Sequence, residues 1–485
     1  MALLNRLKRF RKPLGIWLRS NHPQLYHKLI RIPLINKLRL GQIMRLHVDG
    51  MFVISDTHVL ICGWFRSPMT PVTRIIAIAP DGEHITLTDH CYRYPRTDLA
   101  RQYGPFRMLN MQDEGFFCLF SSKRPQKTTQ PWVMRVQNAT LTKTAIALPL
   151  SYEPWKTRDA ILDALVGEPG TFDTTVFQHH IHPAFEQLQQ QMHAGFRIKR
   201  VLQYGRPNAT PDVSLIIVLD ASVDGNAQID QIQHQSVQFA RDPAIQQSDI
   251  IYVLNIGQHS EMLAQYSRMF ADLYQLPFRV VTLSQPVETS TARMIGIMLA
   301  RGRLLFWLSA HMLPVTTGWL AAMVAFYDAT PTIGVLGAKL LYEDESLHHA
   351  GLFFSPLSDT VAIHHWEIKT SFQGLHRNLP RANIARQVPA IGTDCFMVAQ
   401  KRYQEAGRSK TLYCTDEGDG IDLCLRLQTL GYTHWYYPDV VLYYLNDQIK
   451  PIQPNHRTYT EWLLSQTFAH EIATVMHNLE PTSTT

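Results

Sequence analysis

Cysteine is scarce in this 485-residue chain, and the six that occur, Cys62, Cys91, Cys118, Cys395, Cys414 and Cys424, are scattered. Without close pairs they exclude a disulfide framework and a clustered zinc site, and they read as reduced thiols. Cys62 and Cys118 fall in one β-rich stretch and are candidate neighbours. No apolar run of secretory length follows the basic start, so neither a signal peptide nor secretion is expected. The stretch 304–327 lacks Lys, Arg, Asp and Glu. Ser309, His311, Pro314, Thr316, Thr317 and Gly318 interrupt it, so it reads as a buried strand, a polar loop and a helix start rather than a membrane span. The 22 histidines include no His-Glu-x-x-His, because His470-Glu471 is followed only by His477; a zinc hydrolase is not expected. Two histidines one residue apart, His180 and His182, lack a nearby third ligand.

Acidic residues are missing altogether from the first 45 positions, which hold eleven Lys and Arg; the remainder carries 35 basic against 40 acidic residues. Leu3, Leu7, Phe10, Leu14, Trp17 and Leu18 recur there at nearly helical spacing among Lys8, Arg9, Arg11, Lys12 and Arg19, with Pro13 bending any helix. Two readings stand side by side: an interfacial segment on an anionic membrane, or a basic helix against the acidic body. No recognition motif accompanies the charge, so nucleic acid is not an expected partner. The expected location is cytoplasmic, at the inner face of a membrane on the first reading.

What is present in quantity is apolar surface, 45% of residues with 18% charged, which marks a folded chain long enough for two or three cores. Residues 46–150 carry about seven short β-type runs separated by turn signals such as Pro80-Asp81-Gly82, which predicts a β-sandwich. Residues 151–210 read as a helical linker. From 211 to 447 continuous apolar strands alternate with helical patterns, the texture of an α/β domain on a mainly parallel sheet. The strands are Val213–Leu219, Ile250–Asn255, Arg279–Leu283, Leu304–Leu308, Gly334–Leu341, Phe396–Val398 and Val440–Tyr444. Residues 448–485 hold a terminal helix and a tail.

Four features follow in order. They are the opening strand Val213-Ser214-Leu215-Ile216-Ile217; Thr291-Ala292-Arg293 with Gly296 and Ala300-Arg301-Gly302, ahead of strand Leu304–Leu308 and Gly318-Trp319-Leu320; Lys339-Leu340-Leu341-Tyr342 with His348-His349-Ala350-Gly351; and Asp422-Leu423-Cys424-Leu425-Arg426-Leu427 with Gly431-Tyr432 and Pro438. In this order they resemble family 2 glycosyltransferases of the GT-A fold, an inverting class that includes many bacterial surface-polysaccharide enzymes. The stretch 46–150 is similar, through Gly63-Trp64, Arg96-Thr97-Asp98 and Gly115-Phe116, to the β-rich domain preceding some bacterial glycosyltransferases. Ligands in such sheets bind beyond the carboxyl ends of the strands.

The resemblance implies a nucleotide-sugar donor held near Asp220, Asn255, Arg293 and Ser309, and an acceptor side near His349 and Asp422. The chain departs from the family at the site. The Asp-x-Asp that holds a divalent ion is replaced by Ser309-Ala310-His311, leaving His311 as a candidate metal ligand. Mn2+ or Mg2+ is the ion implied, and the lost acids favour catalysis without one. The base acting on the acceptor hydroxyl has no side chain at Gly420, with Asp419 and Glu417 as the nearest candidates. Tyr444 replaces the histidine that commonly follows the last strand. Two functions therefore compete: an active transferase in which Arg293 neutralises the leaving diphosphate, and a pseudoenzyme that works by binding a protein partner or glycan.

Overall fold

The structure, a computed structural model, describes residues 44–67, 70–96, 98–99, 113–126, 129–166, 172–195, 197–219, 225–255, 260–285, 287–357, 366–407, 413–445 and 453–479. The basic arm up to Ile43 and the candidate Asp220 lie outside these residues. The chain divides into two compact units, the first built from the described residues up to Ser151 with 164–166, the second from Tyr152–Asp163 and from Phe172 onward.

The first unit holds eight strands: β1 Arg45–Val53, β2 His58–Arg66, β3 Val72–Ile78, β4 His84–Thr86, β5 Tyr92–Tyr94, β6 Gly115–Ser121, β7 Trp132–Asn138 and β8 Thr142–Ala147. They form two four-stranded antiparallel sheets, ordered β1-β2-β6-β5 and β4-β3-β7-β8. Alternate residues of β7 turn inward, as the period of two requires. Phe65, Phe116 and Ile61 from one sheet share a core with Ile75, Met134 and Trp132 from the other. Arg96, buried, ties the segment after β5 to β1, with Nη1 donating to Asp49 at 2.5 Å and the Asp98 carboxylate bound at 2.8 Å. Cys62 and Cys118 sit on adjacent strands out of register, and all six cysteines are free.

The second unit carries β9 Ile198–Tyr204, β10 Val213–Leu219, β11 Asp249–Leu254, β12 Phe278–Leu283, β13 Leu304–Leu308, β14 Met312–Pro314, β15 Ile333–Leu341, β16 Leu347–His349, β17 Leu352–Pro356, β18 Trp366–Thr370, β19 Arg386–Val388, β20 Cys395–Ala399 and β21 Thr433–Tyr444. Its principal helices are α1 Pro154–Asp163, α2 His182–Gly195, α3 Gly225–Phe239, α4 Ser260–Tyr274, α5 Thr289–Leu299, α6 Trp319–Ala329, α7 Gln400–Ala406, α8 Asp416–Thr429 and α9 Pro454–Leu479. None of the described helices is long and apolar enough to cross a membrane.

The large sheet is ordered β14-β21-β15-β20-β13-β10-β11-β12-β9, with β16 on β15 and β19 on β21. It is mixed rather than mainly parallel. The block β13-β10-β11-β12 is parallel, whereas β20 enters between β13 and β15 antiparallel to both. The segment expected as a helical linker contributes an edge strand, β9, antiparallel to β12. The apolar runs of β10, β11 and β13 are buried along nearly their whole length because helices cover both faces.

One buried carboxylate organises the entry to this block. Asp249, at the start of β11, accepts from Ser214 Oγ at 2.8 Å and from Arg279 Nε and Nη2 at 2.9 and 2.5 Å. The backbone N–H groups of Arg301 and Gly302, which lead into β13, donate to Ser214 Oγ at 3.0 and 2.9 Å. A Cβ on Gly302 would lie 2.6 Å from the β10 backbone, so only glycine lets β13 approach there. Asp249→Ala leaves Arg279 buried without its counter-charge, and we expect a loss of about 3–5 kcal/mol, read as a lower urea midpoint for the second unit.

Candidate functional site

The site begins where β13 ends. Trp307, the penultimate residue of that strand, stacks on its β20 partner Phe396 with centroids 4.3 Å apart and planes 7° from parallel. The Arg293 guanidinium of α5 rests over the same indole at 5.1 Å, a cation–π contact that fixes the direction of a buried charge. Beyond the strand, Ser309-Ala310-His311 makes a tight turn in which Met312 N–H donates to Ser309 O at 3.0 Å. Buried Gln235 of α3 clamps that turn from outside, with Nε2 donating to Ser309 O and Met312 O at 3.1 and 3.3 Å. His311 Nδ1 lies 3.1 Å from the carbonyl oxygen of Leu445 and 3.2 Å from Gln231 Nε2.

Across from this turn stands an acid that the sequence reading did not single out. Asp394 immediately precedes β20, and its carbonyl accepts from Ser309 N–H at 2.9 Å while its carboxylate is hydrogen-bonded by the Ser309 side chain. Burial raises the Asp394 pKa, and the charges of Arg293 and His311 with the Ser309 bond pull it back. Its signal in the sequence was slight: an Asp between Gly392-Thr393 and an apolar strand whose direction no pattern revealed.

The N-terminus of α8 closes the group. Thr415 caps it, accepting from Gly418 N–H at 3.2 Å, and Asp416, Glu417 and Asp419 occupy the first turn, where negative charge suits the helix dipole. Asp416 reaches Arg293 at 3.8 Å. Asp419 is pushed well above the ordinary carboxylate range by burial and by Glu288, with Arg293 opposing. Glu417 is raised by burial to about 7, with Arg457 of α9 opposing and Asp394 and Glu461 adding to the rise. Arg158 of α1, bonded to Glu288 and, at 3.3 Å, to Tyr413 O, anchors the start of α5 beside the segment leading into α8.

The candidates thus separate into two groups. Arg293, Ser309, His311, Glu417 and Asp419 surround Asp394 or share its charges. Asn255, Asp422 and His349 are tied into the framework. Asn255 clasps the Val287 backbone with both ends of its amide, at 2.6 and 2.7 Å. Asp422 accepts from Arg426 Nε at 2.7 Å and Tyr413 Oη at 3.0 Å. His349 is buried, its pKa lowered to about 3 by burial and by the charges of His348 and Arg386, and Gly392 N–H donates to its Nε2 at 3.0 Å. Tyr444 stacks on His348 at 4.5 Å, with Tyr342 edge-on to that ring. Among the described residues no group of three His, Cys, Asp or Glu is arranged to hold a metal ion, and His182 Nδ1 lies 2.8 Å from Tyr459 Oη.

No protein-family model matches the chain. An uncharacterized protein, y4gI, of Sinorhizobium fredii (strain NBRC 101917 / NGR234) is 25% identical over 167 residues, 34% of this chain; the chain spans 18% of that relative's length. Among solved structures the chain is similar to GalNAc-T7 with UDP, GalNAc and Mn2+, at 16% identity and a TM-score of 0.36, covering 53% of this chain and 48% of that one. It is also similar to the mannosyltransferase PcManGT of Pyrobaculum calidifontis in complex with GDP-Man and Mn2+, at 11% identity and a TM-score of 0.34, covering 62% of this chain and 83% of that one.

Because Glu417 is protonated more readily folded than unfolded, it adds nothing at low pH and destabilises the fold as pH rises from 4.5 through about 7. Glu417→Gln lacks this term. Its melting temperature is expected to gain on the wild type across that window and to hold a constant lead above it, as thermal denaturation at stepped pH will read.

Proposed function

We propose that the second unit is a GT-A-type glycosyltransferase domain related to family 2, binding a nucleotide-sugar donor beyond the carboxyl ends of β10, β11 and β13. The convergence of separate segments carries this reading: Arg293 of α5 and Ser309 and His311 after β13 act on Asp394, and Asp416 and Asp419 of α8 meet the same Arg293. These are the segments whose order resembles the family. The reaction is inverting transfer to a hydroxyl of a surface glycan or glycoconjugate, and the first unit serves as a β-sandwich accessory domain. With Ser309 in place of an acid, the leaving diphosphate is neutralised by Arg293 and not by Mn2+ or Mg2+.

A second reading, a fold kept as a binding scaffold without catalysis, draws support from Asn255. Its amide is buried and engaged with the Val287 backbone through one donor and one acceptor. Calorimetric titration of the full chain with uridine, guanosine and thymidine diphosphates, with and without Mn2+, separates the two. The transferase reading expects saturable binding that survives chelation of the metal. Arg293→Gln is expected to weaken it by about tenfold, the worth of one charge-assisted hydrogen bond. Binding to none of the three favours the scaffold.

A further inference from the structure

Resting on the donor-binding reading above, we infer that Asp394 is the catalytic base of this chain, taking the acceptor proton in place of the side chain absent at Gly420. The topology supplies the first reason. Strand β20 is antiparallel to β13, with Leu308 opposite Cys395, so the residue entering β20 lies at the carboxyl edge where β13 ends. An acid there faces the same space as the donor-site turn, which is where ligands of open α/β sheets sit.

The second reason is steric. A Cβ at position 420 would lie 2.6 Å from the Thr393 methyl and 3.4 Å from Ile391 O. The place for a base on α8 is therefore occupied by the residue next to Asp394, and the same loop that fills it brings a carboxylate alongside. The third reason is elimination among the remaining acids. Asp422 is spent on Arg426 and Tyr413. Glu417 feels the charges of Arg457 and Glu461 of α9 as well as that of Asp394. Asp416 pairs with Arg293 at 3.8 Å, and Asp419 answers chiefly to Glu288 and Arg293. Asp394 alone among them is hydrogen-bonded to Ser309, at the turn that follows β13.

The step balances with groups on hand. The acceptor hydroxyl gives its proton to an Asp394 carboxylate oxygen while its oxygen forms the bond to the anomeric carbon. The bond from that carbon to the donor's diphosphate oxygen breaks, and the electron pair leaves with the nucleoside diphosphate, whose added charge Arg293 meets. With water as acceptor the same step yields free sugar.

The test compares the full-length wild type with Asp394→Asn and Asp394→Glu. The probes are UDP-glucose, UDP-N-acetylglucosamine and GDP-mannose with water as acceptor, followed as nucleoside diphosphate release. UDP and GDP affinities are measured in parallel by calorimetry. We expect release by the wild type, a fall in kcat of about 100-fold or more for Asp394→Asn with nucleotide affinity held, and partial return of turnover in Asp394→Glu. Turnover of Asp394→Asn close to wild type overturns the assignment, as does a loss confined to nucleotide affinity. A wild type that binds nucleotide and turns over none of the donors overturns the base but leaves donor binding standing, whereas a wild type that binds no nucleotide sinks both.

Discussion

The antiparallel entry of β20 into an otherwise parallel block is the constraint on which the site depends. It sets Cys395 opposite Leu308, stacks Phe396 on Trp307, and through that indole orients the Arg293 guanidinium. The same pairing places Asp394 against the backbone of Ser309. A parallel strand in that position would present its last residues at this edge instead, and the acid would emerge at the opposite end of the sheet.

The electrostatics of the site follow from burial more than from charge count. Asp394, Glu417, Asp419 and Glu288 are all pushed toward protonation by loss of water, and the arginines that oppose this, Arg293, Arg457 and Arg158, come from three different helices. Glu417, raised to about 7, changes protonation near neutral pH, which isolated surface acids do not. The framework histidines behave in the opposite sense: burial keeps His349 and His434 neutral, so they take no part in the charge balance.

Much of the second unit was legible from its apolar runs. Strands at Val213–Leu219 and Leu304–Leu308 coincide with the sequence reading, because a strand buried on both faces leaves an unbroken hydrophobic signature. The direction of β20 left no such mark, since five apolar residues read the same in either sense, and with it the role of Asp394 was hidden. Residues 198–204 also escaped, being an exposed edge strand with Lys199 and Arg200 and no core periodicity. At the site, Arg293 and Asp419 were named from motif order, and the structure brings the two charges within reach of each other. That Asn255 and Asp422 would be absorbed by Val287 and by Arg426 with Tyr413 depends on contacts made across long sequence separations or on a buried helix face, and no local pattern encodes them.

The tight meeting of Gly420 with Thr393 also couples a helix residue to a loop residue. Any side chain at position 420 would set its first carbon 2.6 Å from the Thr393 methyl, so the loop residue would have to give way. Substitutions at the two positions are therefore expected to be non-additive, the effect of a side chain at 420 depending on which residue stands at 393.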